Sequence, residues 1–168
     1  MNYENLIRDN LAQNLHILSA DYELIGTEHY IPESQATKSF IDILAKDKEN
    51  NYIIIEVKRS NQAARQAIHE IYKYVEAVKN YYKVTSGEVR ALIVSTEWKE
   101  LFVPFSAFAN ESNISIEGYE IITDDSHTVV SASKIKPCKT SMGRVFSANH
   151  NCCLYLNEEN LQKGIVSH

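Results

Sequence analysis

The sequence predicts a single α/β domain, a mixed β-sheet covered by helices, with the element order α-β-β-β-α-β-α-β. Three observations carry this expectation. Two β-rich runs, 39–47 and 52–58, flank a polar turn and read as a hairpin. A long amphipathic stretch follows the hairpin, and a compact apolar run, Val89–Ser95, follows that. An antiparallel hairpin that feeds a helix and then another strand calls for a sheet with both parallel and antiparallel pairs. The 168 residues, 44% of them hydrophobic, suffice for one buried core.

The elements follow in order. Ile7, Leu11, Leu15 and Leu18 recur at helical spacing with Asn5, Arg8, Asp9 and Gln13 between them, which predicts a helix over 3–18. A short strand is expected over 22–27, then a polar loop over 28–38 that contains Pro32. A hairpin turn centred on Glu49 pairs residues whose numbers sum to 98. Ile41, Ile43, Ala45, Ile53, Ile55 and Val57 then share one face, all apolar, as a strand against a core requires. The other face carries Phe40, Asp42, Leu44, Ile54, Glu56 and Lys58, with Asp42 opposite Glu56.

A helix over 61–82 presents Ala64, Ala67, Ile68, Ile71, Val75, Val78 and Tyr82 as its apolar stripe. After Gly87 comes the strand Val89–Ser95. A helix over 97–109 is expected next, capped by Ser95 or Thr96 and kinked or split by Pro104. Ile116–Ile122 reads as a further strand, and 128–135 and 152–156 as two more. Residues 1–123 are expected to form the domain, with 124–168 an extension packed on it or following it.

Composition narrows the function. No apolar run approaches the ~20 residues of a membrane helix. The N-terminus lacks the basic and apolar regions of a secretory signal, so a cytoplasmic location is expected. Cys138, Cys152 and Cys153 are an odd set with an adjacent pair, which suits reduced thiols better than disulfides. With His150 they match no standard zinc spacing. There is no Gly-rich phosphate loop and no nucleophile elbow. The net charge of −5 hides a local excess: residues 58–83 hold six Lys or Arg and two Glu. That segment is a candidate phosphate-facing surface, or a solvated helix face. Trp98, Phe102, Phe105 and Phe108 are expected in the core.

Asp42, Glu56 and Lys58 carry the chemistry. Two carboxylates facing each other repel unless a cation lies between them. Mg²⁺ suits this, because it takes one or two carboxylates and fills its remaining positions with water and phosphate oxygens. Such an ion lowers the pKa of a bound water and offsets charge on a phosphoryl group. Lys58 would orient that water or stabilise the oxyanion, and the carbonyl of Val57 is a further candidate ligand. The alternative is a half-exposed hairpin whose charges face water. The apolar flanks, Phe-Ile-Asp-Ile-Leu and Ile-Ile-Ile-Glu-Val-Lys, weigh against it.

The stretch SFIDILAKDKENNYIIIEVKRS, with EIYKYVEAVK downstream, resembles the PD-(D/E)xK nuclease superfamily, and within it the NucS-type and RecB-like endonuclease domains. The resemblance covers roughly residues 3–95. It implies a restriction-endonuclease-like fold with an α-β-β-β-α-β core and a DNA endonuclease dependent on Mg²⁺ or Mn²⁺. Asp42 matches the family's first acid, and Glu56 and Lys58 its Glu-x-Lys. Ile41 stands where some members have Pro. Relatives carry Gln-x-x-x-Tyr on the next helix, whereas this chain has Glu70 and Tyr74, with Gln66 one turn earlier. Glu70 either takes the Gln role, adds a carboxylate near the metal, or pairs with Lys73 as a surface acid. Glu4 stands where several members place an acid near a metal-bound water, or it pairs with Arg8. Arg59, Arg65, Gln66, Lys73 and Tyr74 are the expected nucleic-acid contacts. The resemblance leaves open a homodimer, a partner domain or protein, and a non-catalytic binding module within a larger repair, restriction or phage-defence system.

Overall fold

The hairpin forms in the expected register. Strands β2 (Ser39–Lys46) and β3 (Tyr52–Lys58) pair antiparallel. Ile43 lies opposite Ile55, Leu44 opposite Ile54 and Ala45 opposite Ile53. At the turn the Asp47 carboxylate accepts the N–H groups of Glu49 and Asn51. Asn50 takes the left-handed conformation, φ 65°, that Asn tolerates. The computed structural model describes residues 3–32, 39–59 and 64–139.

The sheet has six strands in sequential order. Strand β1 (Glu23–Ile31) pairs antiparallel with β2. Strand β3 pairs parallel with β4 (Val89–Ser95), and β4 parallel with β5 (Ser115–Thr123). Strand β6 (Val129–Ile135) closes the far edge, antiparallel to β5. The parallel pairs are those joined through helices α2 (Ala64–Tyr82) and α3 (Phe102–Glu111), as crossover connections require.

Two cores flank the sheet. On one face helix α1 (Tyr3–Gln13) lays Ile7 and Leu11 on Ile43, Ile53, Ile55, Val57 and Val94. On the other, Ala67, Ile71, Val75 and Val78 of α2 and Phe105 of α3 cover Leu44, Ile54, Ala91 and Ile93. Each fully buried Ile or Leu contributes about 1.5–3 kcal/mol. The central strands are buried on both faces, which is why β3 and β4 read as continuous apolar runs. No helix among the described residues is long and apolar enough to cross a membrane.

The structure corrects several boundaries. Helix α1 stops at Gln13, where Asn14 leaves helical geometry at φ −129°, and a short 3₁₀ turn carries Leu15–Ile17. Strand β1 is longer than expected, because His29, Tyr30 and Ile31 pair with Ile41, Phe40 and Ser39. Pro104 does not kink α3. It sits in the first turn, where its missing N–H would have had no intrahelical acceptor. Ser95 and Thr96 cap nothing there: the Ser95 hydroxyl bridges Glu97, and the Thr96 hydroxyl donates to the Arg59 carbonyl. Ile41 leaves the face it was expected to share with Ile43 and packs with Ile31 and Ile54 instead. The strand expected over 152–156, with His150, Cys152 and Cys153, lies outside the described residues.

Gly118 on β5 marks a tight contact. A Cβ there would lie 2.4 Å from Trp98 Cη2 and 3.0 Å from Phe105 Cζ. Trp98 cannot swing away cheaply, since its indole N–H donates to the Tyr119 carbonyl at 3.1 Å. Gly118→Ala is expected to cost about 1–3 kcal/mol. Urea unfolding should show a lower midpoint with an unchanged slope.

Candidate active site

The ladder between β2 and β3 ends at Ile43 and Ile55. Two residues on, the backbone N–H of Val57 again points at β2, and the Asp42 carboxylate accepts it at 2.9 Å through Oδ2. A side chain has replaced the strand's own carbonyl. Asp42 is thereby fixed at the mouth of the hairpin, beside the end of β3.

Glu56 and Lys58 project from β3 on the side covered by α2. They are not solvated: Glu56 is 2% exposed and Lys58 9%. For Glu56 and Lys58 this disposes of the reading in which the hairpin's charges face water. The Lys58 ammonium lies 2.6 Å from Glu56 Oε1 and 2.8 Å from Glu70 Oε2. Glu70 reaches it from α2, and Gln66, one turn earlier, donates to Glu70 Oε1 at 2.9 Å. The Glu-for-Gln difference on this helix therefore places a second carboxylate on the lysine. Glu56 Oε2 has no hydrogen-bond partner, and it is the single buried side-chain polar atom so left among the described residues.

The electrostatics follow from burial and like charge. Burial, then the neighbouring Asp42, pushes the Glu56 carboxyl well above the usual carboxylate range, against the pull of Lys58. Burial also raises Asp42, while the Val57 N–H, Lys58 and Arg8 draw it back. Burial acts to lower the Lys58 ammonium, but Glu56 and Glu70 outweigh it and hold the group above its ordinary value. Burial raises Glu70, and the Lys58 ion pair prevails and lowers it.

The other expected residues are spread around this centre. Glu4, on the first turn of α1, accepts the Arg59 backbone N–H at 3.0 Å. It thus ties α1 to the residue after Lys58. The exposed Arg59 guanidinium lies over the Tyr3 ring, 4.4 Å from its centroid. Gln66 is exposed, Lys73 is half-buried, and the Arg65 side chain is outside the described set. Tyr74 departs from expectation: it is 7% exposed, within the α2-side core rather than on a surface. Burial and then the Glu56, Glu70 and Asp42 carboxylates push its hydroxyl above the usual tyrosine value. Val57 contributes its N–H to Asp42.

Sequence reasoning missed Arg8. It lies among the polar positions of α1 and yet is 7% exposed, with its guanidinium on Asp9 at 2.8 Å and Glu28 at 2.7 Å. Nothing in the helical periodicity distinguishes it from Asn5 or Gln13, and only the packing of α1 on β1 reveals it.

The donor set bears on a cation. Among the described residues no group of three or more His, Cys, Asp or Glu side chains is arranged to hold one. Two carboxylates converge instead, one with an unpartnered buried oxygen. That fits an ion of the Mg²⁺ class, which completes its shell with water and substrate oxygens, better than a closed structural site.

Comparison with known proteins agrees with the fold. "Endonuclease NucS" of Methanocaldococcus jannaschii is 34% identical over 92 residues, covering 55% of this chain and 32% of that protein. A second "Endonuclease NucS", from Sulfolobus acidocaldarius, is 26% identical over 87 residues, covering 52% of this chain and 31% of its own length. The chain thus spans about a third of these curated relatives. The solved EndoMS–dsDNA2 complex contains a chain of like fold, with TM-score 0.50 and 16% identity over 71% of this chain and 46% of that one. Residues 3–139 match the family model of the endonuclease NucS C-terminal domain. With four-fifths of its length inside that match and the mixed six-stranded sheet to accompany it, the chain belongs to the endonuclease NucS C-terminal domain family.

Proposed function

We propose that this chain is the cleavage domain of a metal-dependent DNA endonuclease of the PD-(D/E)xK type. The observation that carries the reading is the buried Glu56–Lys58 pair beside half-buried Asp42, with Glu56 Oε2 left without a partner. A fold gains nothing from an orphaned buried carboxylate oxygen, which costs on the order of 1–3 kcal/mol. A bound cation repays that cost. The names of the relatives, which cover only part of this chain, support nuclease chemistry and DNA as substrate.

Asp42 and Glu56 would hold Mg²⁺ or Mn²⁺, with the Val57 carbonyl a further candidate ligand. When bound, the ion supplies a water of lowered pKa and positive charge beside the phosphoryl oxygens. Lys58 donates to the phosphoryl oxygen on which negative charge develops. Glu70 keeps a second carboxylate on the ammonium, so the placement of Lys58 does not rest on Glu56 alone. Gln66 orients Glu70, and Arg59 and Lys73 contact the DNA backbone. This reading carries a cytoplasmic location with it. A partner domain, protein or second copy would supply substrate choice.

Metal binding tests the site directly. Mn²⁺ at about 100 times its dissociation constant should stabilise the wild type by about 2.7 kcal/mol. Glu56→Gln and Asp42→Asn should show no such stabilisation in a thermal melt. A wild-type melting temperature that does not respond to Mn²⁺ contradicts the proposal and favours a non-catalytic binding module.

A further inference from the structure

We propose that Arg8 and Glu28 are positioning residues: their ion pair holds the bend that brings Asp42 to the end of β3. The inference deepens the nuclease reading, since it assigns a role around the same carboxylate.

The geometry starts from the register of β1 and β2. Thr27 pairs with Ile43 and His29 with Ile41, so Glu28 falls across from Asp42. Glu28 has φ 42°, in the left-handed region that glycine or asparagine normally fills. A glutamate held there is strained and persists only where its surroundings enforce it. The side-chain alternation of β2 breaks at this level. Ile43 faces the α1 core, whereas Ile41, two residues earlier, faces the α2 core beside Ile31. His29 follows, and bonds Tyr82 at the end of α2. Asp42 sits at this break in β2, and the left-handed Glu28 lies across from it in β1.

The Glu28 side chain shows what enforces the bend. Its carboxylate lies 2.7 Å from the guanidinium of Arg8, which α1 buries and which Asp9 braces from its other side. A buried guanidinium is costly unless paired. Arg8 thus draws Glu28 toward α1 against the backbone's preference. With β1 bent, β2 follows, and the Asp42 carboxylate reaches the Val57 N–H.

That hydrogen bond is the readout, and it needs neither metal nor DNA. In the 168-residue chain Arg8→Met should speed hydrogen exchange of the Val57 amide about tenfold, while the amides of Leu92 and Ile93 in β4 stay as in wild type. Adding Glu28→Gly to Arg8→Met should restore Val57 protection, because glycine holds a positive φ without the ion pair. In a cleavage assay Arg8→Met should lower kcat and leave KM for DNA unchanged. Val57 protection unaltered by Arg8→Met, loss of protection shared equally with β4, or failure of glycine to rescue each overturns the inference. A wild type that cleaves no DNA would overturn the nuclease reading and leave the Val57 result to decide this one.

Discussion

Lys58→Met is expected to be the most damaging single substitution for stability and to abolish cleavage. In the wild type the ammonium neutralises two carboxylates, one of them almost wholly buried. Removing it leaves Glu56 buried with Asp42 beside it, a loss of about 3–5 kcal/mol when the carboxyl is ionised. The loss should depend on pH. In the variant, burial and Asp42 hold the folded-state pKa of Glu56 above its unfolded value, so the folded protein retains the extra proton. Stability is then fully present below the unfolded pKa and falls as pH rises through the folded one. Urea titrations across that range should show the variant close to wild type in acid and furthest from it in alkali. Glu56→Gln added to Lys58→Met should remove the pH dependence and much of the destabilisation. Cleavage should return in neither variant, with kcat down about 10²–10⁴-fold. A destabilisation independent of pH would mean that Lys58 matters for packing rather than for charge.

The second large effect is expected at Asp42. Asn keeps an oxygen to accept the Val57 N–H, so Asp42→Asn should fold with wild-type stability or better, since a half-buried carboxylate beside Glu56 is replaced by a neutral group. Cleavage should nonetheless fall about 10³-fold, because the charge that attracts the cation has gone. Asp42→Ala should lose cleavage equally and leave the Val57 N–H without its acceptor, at a cost of about 1–3 kcal/mol. The contrast between Asn and Ala separates the chemical role of Asp42 from its structural one.

Much of this site is legible in the sequence because strand alternation holds through the hairpin from Ile43 to Ile55. Once the polar turn is centred on Glu49, the period of two places Asp42, Glu56 and Lys58 together, and the observed pairing of Ile43 with Ile55 follows the same sum. The helix that carries Glu70 and Gln66 is equally legible from its apolar stripe. What escapes is whatever depends on departures from regularity. A left-handed Glu28 has no sequence signal, since the residues that advertise positive φ are Gly and Asn. The switch of Ile41 to the other core follows from that bend and cannot be read from alternation. Arg8 is buried where α1 packs on the sheet, and its partner Glu28 lies twenty residues away in the chain. Pro104 misleads because the same residue that breaks a helix interior is tolerated in the first turn. Tyr74 looks like a surface contact by analogy of position, and the packing of α2 places it in the core.

The most direct test of the nuclease site is cleavage of supercoiled plasmid by this chain with Mg²⁺ or Mn²⁺, with EDTA, and by Asp42→Asn under the same conditions. Nicked or linear product is expected that requires the metal and is absent with EDTA and in Asp42→Asn. Cleavage that survives EDTA, or that Asp42→Asn retains, would contradict this reading, as would a wild type that binds Mn²⁺ at Asp42 and Glu56 and yet leaves plasmid and single- and double-stranded oligonucleotides intact.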